Sequence, residues 1–133
     1  MLALFQKALP EGHPDIATSL NNLAATLRAQ GRPGEAEPLL RQALELNPKL
    51  EDAYEALGVI LHKQGQIDEA IELMKTLVEL NADSVMAHTN LSVFYVEKGL
   101  KDEAEEEKAI SLSIRMREAA QQATQTQKDE EEK

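Results

Sequence analysis

Three histidines, His13, His62 and His88, are the side chains best suited to metal binding or proton transfer, and no two of them share the spacing of a common metal site. Glu11, His13 and Asp15 alternate within a short stretch, but without a fourth ligand they read as a turn. The acidic run over residues 102–107 carries charge enough for calcium, yet calcium is held by oxygens gathered round an ordered loop, and this run reads as a solvated helix face. There is no cysteine, which removes disulfides, thiolate metal sites and cysteine nucleophiles. No nucleophile motif, glycine-rich phosphate loop or paired-carboxylate context frames the serines, lysines and aspartates. Arg115 and Arg117, the nearest thing to a basic cluster, stand beside Glu118 without aromatic partners for stacking on bases. With 24 acidic against 14 basic side chains the net charge is −10, so a polyanion is repelled on average. The sequence therefore predicts no catalysis, no metal, no cofactor and no nucleic acid. Asn22 and Asn90 carry amides that both donate and accept hydrogen bonds.

The elements that must position such groups are helices. The chain has 133 residues, 42% of them hydrophobic, the size of one domain with a core of its own. Its aromatics are only Phe5, Tyr54, Phe94 and Tyr95, so the core must be built from Leu, Ala, Ile, Val and Met, a mixture that favours helix over sheet. No apolar run approaches the roughly 18–20 residues needed to span a bilayer, and residues 1–9 lack the flanks and cleavage site of a signal peptide. With cysteine absent as well, a cytoplasmic location is expected.

A period of 34 organises the chain: Gly31, Gly65 and Gly99 keep it, as do Ala36, Ala70 and Ala104, and Leu23, Leu57 and Leu91. Within a unit, Tyr54, Leu57, Gly58 and Leu61 fall on one helical face, and Ala70, Met74, Leu77 and Val78 on another after Gly65. Each glycine predicts a left-handed helix stop, Asp68 a cap for the next helix, and Gly58 and Ala70 a close crossing. Pro33 suits a helix start, whereas Pro38 predicts a bend or a delayed start. Each unit is thus an antiparallel helix pair.

These residues resemble the tetratricopeptide repeat. The family's positions fall on Tyr54, Leu57, Gly58, Leu61, Gly65, Ala70, Met74 and Leu77 in the second unit. In the first they fall on Leu20, Leu23, Ala24, Leu27, Gly31, Ala36, Leu40 and Ala43, followed by Pro48. Residues 13–24 are similar to the longer repeats of kinesin light chains and their bacterial relatives. The third unit keeps Leu91, Ser92, Tyr95 and Gly99 but departs at His88, Lys108 and Ser111, as suits a terminal repeat with a polar outer face. Residues 1–9 carry Phe5 and Ala8 with the same three-residue spacing as Leu40 and Ala43, and read as the back half of a preceding repeat.

The resemblance implies an all-α, right-handed α-solenoid. Three repeats (17–50, 51–84 and 85–118) make a domain over residues 13–118, preceded by a half-repeat helix and loop over 1–12. A polar helix extension, capping the solenoid and fraying into a disordered tail, follows over 119–133. The inner wall is implied to bind peptides through Asn21, Asn22, Ala25 and Arg28 of the first unit, Asp52, Glu55, Val59 and His62 of the second, and Met86, Asn90, Val93 and Glu97 of the third. An apolar strip bordered by Asp52, Glu55 and Glu97 suits an apolar segment with basic flanks, or a second copy of the chain. The cations that hold acidic chaperone C-terminal tails in some members are missing from Asn21, Ala25, Ala56, Met86 and Asn90, which disfavours that ligand. The expected function is a non-catalytic protein–protein interaction module, an adaptor or scaffold. The alternative is the C-terminal regulatory or dimerisation part of a larger protein, enzymatic or not.

Overall fold

The computed structural model describes residues 14–132. Over that range the chain forms α1 (Pro14–Ala29), α2 (Pro33–Leu46), α3 (Glu51–Lys63), α4 (Ile67–Leu80), α5 (Val85–Glu97) and α6 (Lys101–Glu131). Consecutive helices pack on one another, and α3 also touches α1 and α5, so three antiparallel pairs stack into an all-α solenoid. The half-repeat helix predicted over 1–12 lies outside the described residues.

The 34-residue period is a period of hydrogen bonds. Gly31, Gly65 and Gly99 take φ values of +76°, +82° and +80°, a conformation in which a Cβ would be crowded. The next residue of each turn, Arg32, Gln66 or Leu100, then donates its N–H back to the carbonyl of Leu27, Leu61 or Tyr95 at 2.8 Å, closing the helix end. The turns between units repeat as well: Asn47 and Asn81 accept the N–H of Lys49 and Asp83 on their side-chain oxygens, both at 3.1 Å. Tyr54 Oη donates to the Pro48 carbonyl at 2.7 Å, and His88 Nε2 meets the Ala82 carbonyl at 2.8 Å, so two different side chains tie the same turn.

The main core gathers Leu40, Leu57, Leu61, Met74, Leu77 and Leu91 between the stacked pairs, with a smaller cluster of Ile16, Ala17, Leu20 and Ala43 inside the first. Gly58 faces Met74 and the Ala70 carbonyl, where a Cβ would press on the methionine's terminal methyl group, which accounts for the small residue at that crossing. Leu23 breaks the symmetry of its phase. It is 48% exposed, whereas Leu57 and Leu91 are each exposed by only 1%. Leu57 faces the preceding unit, sharing a cleft with Arg41 and Leu44; any unit before α1 lies outside the described residues.

Other local expectations change. Asp68 does not cap α4: the cap position is Gln66, with no side-chain cap bond, and Asp68 pairs instead with Lys98 across the next turn. Of the two effects expected of Pro38, the delayed start is not found: α2 starts at Pro33 and runs through Pro38. Its missing N–H leaves the carbonyl of Gly34 open in an exposed first turn, where water serves. The C-terminal extension, predicted to fray, is helical through Glu131 with a Gln125–Asp129 side-chain bond one turn apart. No helix among the described residues is long and apolar enough to cross a membrane.

Candidate functional site

The first helices of the three units, α1, α3 and α5, stand side by side and carry the residues assigned to the inner wall. On α1, Asn22 and Ala25 are exposed and Asn21 and Arg28 half-buried. On α3, Asp52 is exposed while Glu55, Val59 and His62 are half-buried; on α5, Met86, Val93 and Glu97 are exposed and Asn90 is half-buried. All of them reach the surface, but they do not form one continuous site.

Between α1 and α3 lies a groove of about 580 Å3, floored by Ala25, Ala29, Val59 and Ile60 and flanked by Arg28 and Lys63. The structure thus brings Ala25, Arg28 and Val59 together. Arg28, already assigned to the wall, and Lys63 supply this groove with cations, whereas Asp52 and Glu55 do not line it. Glu55 is held above the usual carboxylate range, first by burial and then by Asp52, with Arg28 pulling the other way.

Two predicted residues are engaged in holding the fold. His62 Nε2 lies 2.6 Å from a carboxylate oxygen of Glu97, and its ring stacks on Phe94 with centroids 4.6 Å apart. Together they tie α3 to α5, which occupies one of the three carboxylates expected to face a ligand. Asn90 turns its amide nitrogen toward the Met74 sulfur at 3.7 Å, while Asn22 remains exposed. Met86 lines neither this groove nor the one described next.

A second groove, of about 560 Å3, opens between α5 and α6 at the end of the solenoid. Val93, Val96 and Leu112 floor it, with Glu105, Lys108 and Arg115 along its α6 side. The sequence reading placed Val93 and Glu97 on the concave wall and missed the contribution of α6, expecting a polar outer face. The available signal was Leu112, a large apolar residue in an otherwise polar stretch. Ser111, by contrast, is buried and bonds Thr89 at 2.9 Å, a polar substitute for packing.

Both ring nitrogens of buried His88 are taken, Nδ1 by Glu107 at 2.5 Å and Nε2 by the Ala82 carbonyl. Among the described residues no cluster of three His, Asp or Glu side chains is placed to hold an ion.

The sequence itself matches models of the tetratricopeptide repeat over residues 27–89 and 61–127, and a second such model over 2–49. The chain belongs to this family. Among solved structures, this tetratricopeptide-repeat chain is similar to YrrB, described as a tetratricopeptide-repeat protein with an unusual peptide-binding site. They share 26% identity and a TM-score of 0.69 over 74% of this chain and 50% of that one. It is also similar to MamA, at 26% identity and a TM-score of 0.75 over 78% of this chain and 61% of the other. The second such domain of Spaghetti (RPAP3), bound to the HSP90 peptide SRMEEVD, shares the fold with a TM-score of 0.74 at 12% identity, over 78% of this chain and 96% of that one. The chain therefore spans half to three-fifths of YrrB and MamA. No curated protein sequence matches it.

Proposed function

We propose that this tetratricopeptide-repeat chain is a non-catalytic interaction module whose concave wall holds an extended or helical segment of a protein partner. The observation that carries this reading is the α1–α3 groove, in which Ala25, Ala29, Val59 and Ile60 leave an apolar floor open between charged walls. Asp52 and Glu55 offer carboxylates to a basic flank of the ligand, while Arg28 and Lys63 hold the other end of α1 and α3. A partner segment with apolar anchors and one basic flank fits this polarity, lying with that flank toward the start of α3. The groove is short, so the buried area falls at the low end of specific interfaces and the affinity is micromolar.

Acidic chaperone tails fit less well. The wall positions Asn21, Ala25, Ala56, Met86 and Asn90 carry no cation, and Arg28 and Lys63 are confined to one end. Titrating isotope-labelled protein with basic-apolar peptides tests the site. Shifts centred on Ala25, Glu55 and Val59, and at least a tenfold loss of affinity on Val59→Glu, are expected; shifts confined to α2 and α4 would overturn it. The peptide SRMEEVD serves as the comparison ligand and is expected to bind more weakly.

A further inference from the structure

The groove between α5 and α6 repeats, 34 residues on, the surface with which the second unit seats α5. Lys108 follows Met74, whose sulfur lies against Asn90, and Val96 follows His62, whose ring stacks on Phe94. Ser111 and Leu112 likewise follow Leu77 and Val78. On the second unit the equivalent Val59, His62 and Val78 are half-buried, whereas on the third Val93, Val96 and Leu112 are 46%, 60% and 57% exposed. The surface is a seat for a helix. The chain's own described residues do not fill it: α2 and α4 turn back after Leu46 and Leu80, but α6 runs straight past the equivalent Ile114 to Glu131.

We propose that α6 of a second copy fills this seat, giving a two-fold dimer in which α5 and α6 of both copies form an antiparallel four-helix layer. The direction follows from the repeat. Helices α4 and α5 are antiparallel neighbours joined by a short turn, so a helix seated in the same way on the third unit runs antiparallel to α6. The occupant follows from charge. Glu105, Lys108, Leu112 and Arg115 are spaced three and four apart and line one face of α6. Run antiparallel, this stripe is complementary to itself: Glu105 stands opposite Arg115 of the second copy and Lys108 opposite Leu112 of the second copy, with the reverse pairs generated by symmetry. A parallel pair would instead stack the acidic start of the helix, residues 102–107, upon itself. The lysine stem lies along the leucine while its charge reaches water.

Sedimentation equilibrium of the whole chain, from roughly 1 to 300 µM at low and high salt, tests the proposal. A reversible dimer with a dissociation constant on the order of 10–100 µM is expected, since the seam is short and half polar. Leu112→Glu is expected to weaken it at least tenfold with the helical signal and melting temperature unchanged, because Leu112 is largely exposed. Glu105→Arg and Arg115→Glu each weaken it, and the double variant restores affinity to within a few-fold of the parent. Because the chain has no cysteine, single spin labels at Ile110→Cys and Thr126→Cys report the direction. At a rise of 1.5 Å per residue the second pair lies about 48 Å apart along the axis, and the first within roughly 25 Å. A monomer throughout, with the seat left to a foreign helix, overturns the proposal, as does a dimer indifferent to Leu112→Glu. Equal label separations, or a double variant no better than either single one, overturn the antiparallel register. Leu112, Glu105 and Arg115 take no part in the α1–α3 groove, so peptide binding there is unaffected by any of these variants.

Discussion

Glu55 is the residue at which stability and recognition meet. Its carboxyl is raised by burial and by Asp52, so the folded state holds its proton more tightly than the unfolded chain does. Between the ordinary carboxylate range and the raised value, stability therefore falls as pH rises; the cost is complete above that window and absent below it. Glu55→Gln is expected to raise the melting temperature by about a degree or two at neutral pH, a small effect because the group is partly solvated, and the difference closes below about pH 4. Calorimetry of the two proteins across that range measures it. The same substitution is expected to weaken a basic ligand, so that the carboxylate is retained at some cost in stability. Such a role was only half legible in the sequence. Repeat phase placed Glu55 on the wall, but no spacing announced that Asn90 would turn inward or that His62 would engage Glu97, because those contacts depend on how far one unit is rotated against the next.

Among the elements, the turns carry the clearest message from sequence to structure. Glycine at 31, 65 and 99 predicts left-handed helix ends, and all three are found. Gly65→Ala is expected to cost about 1 kcal/mol and Gly65→Asn less, since asparagine tolerates positive φ better than alanine; thermal melts would rank the three proteins. A melting temperature unchanged by alanine would show that this helix end does not require the left-handed turn. Caps were less legible than stops. Asp68 looked like an N-cap by residue type, yet the strict geometry of the glycine turn begins α4 two residues earlier and leaves Asp68 to a neighbouring lysine. The tie between a wall-side ring and the turn carbonyl six residues back could not be read at all, because tyrosine and histidine share that role without sharing a sequence signature.

At the scale of the whole molecule, stacking makes equal residues unequal. Leu23, Leu57 and Leu91 hold one repeat position, but only the latter two are enclosed by described neighbours. Leu57→Ala is expected to cost about 2–5 kcal/mol through the cavity it leaves, and Leu23→Ala under about 1 kcal/mol; denaturant titration distinguishes them. Similar losses at both positions would mean that Leu23 is covered as fully as its repeat mates. The period marked out the helix pairs, and the resemblance implied their stacking, since neighbouring units contact one another in the same way each time. The period could not predict which positions stand open among the described residues, since a position keeps its phase whatever lies beside it.

Arg115 and Met116 occupy the places at which the earlier units carry Asn47-Pro48 and Asn81-Ala82, and there α6 continues instead of turning. Those two residues mark where the third unit departs from the first two. Stacking a further unit in the same way would take that bend together with apolar residues at Lys108 and Ser111, which stand where Met74 and Leu77 fill the core of the second unit. Whether one repeat can be joined to the next is thus written twice, in the turn and in the helix face before it.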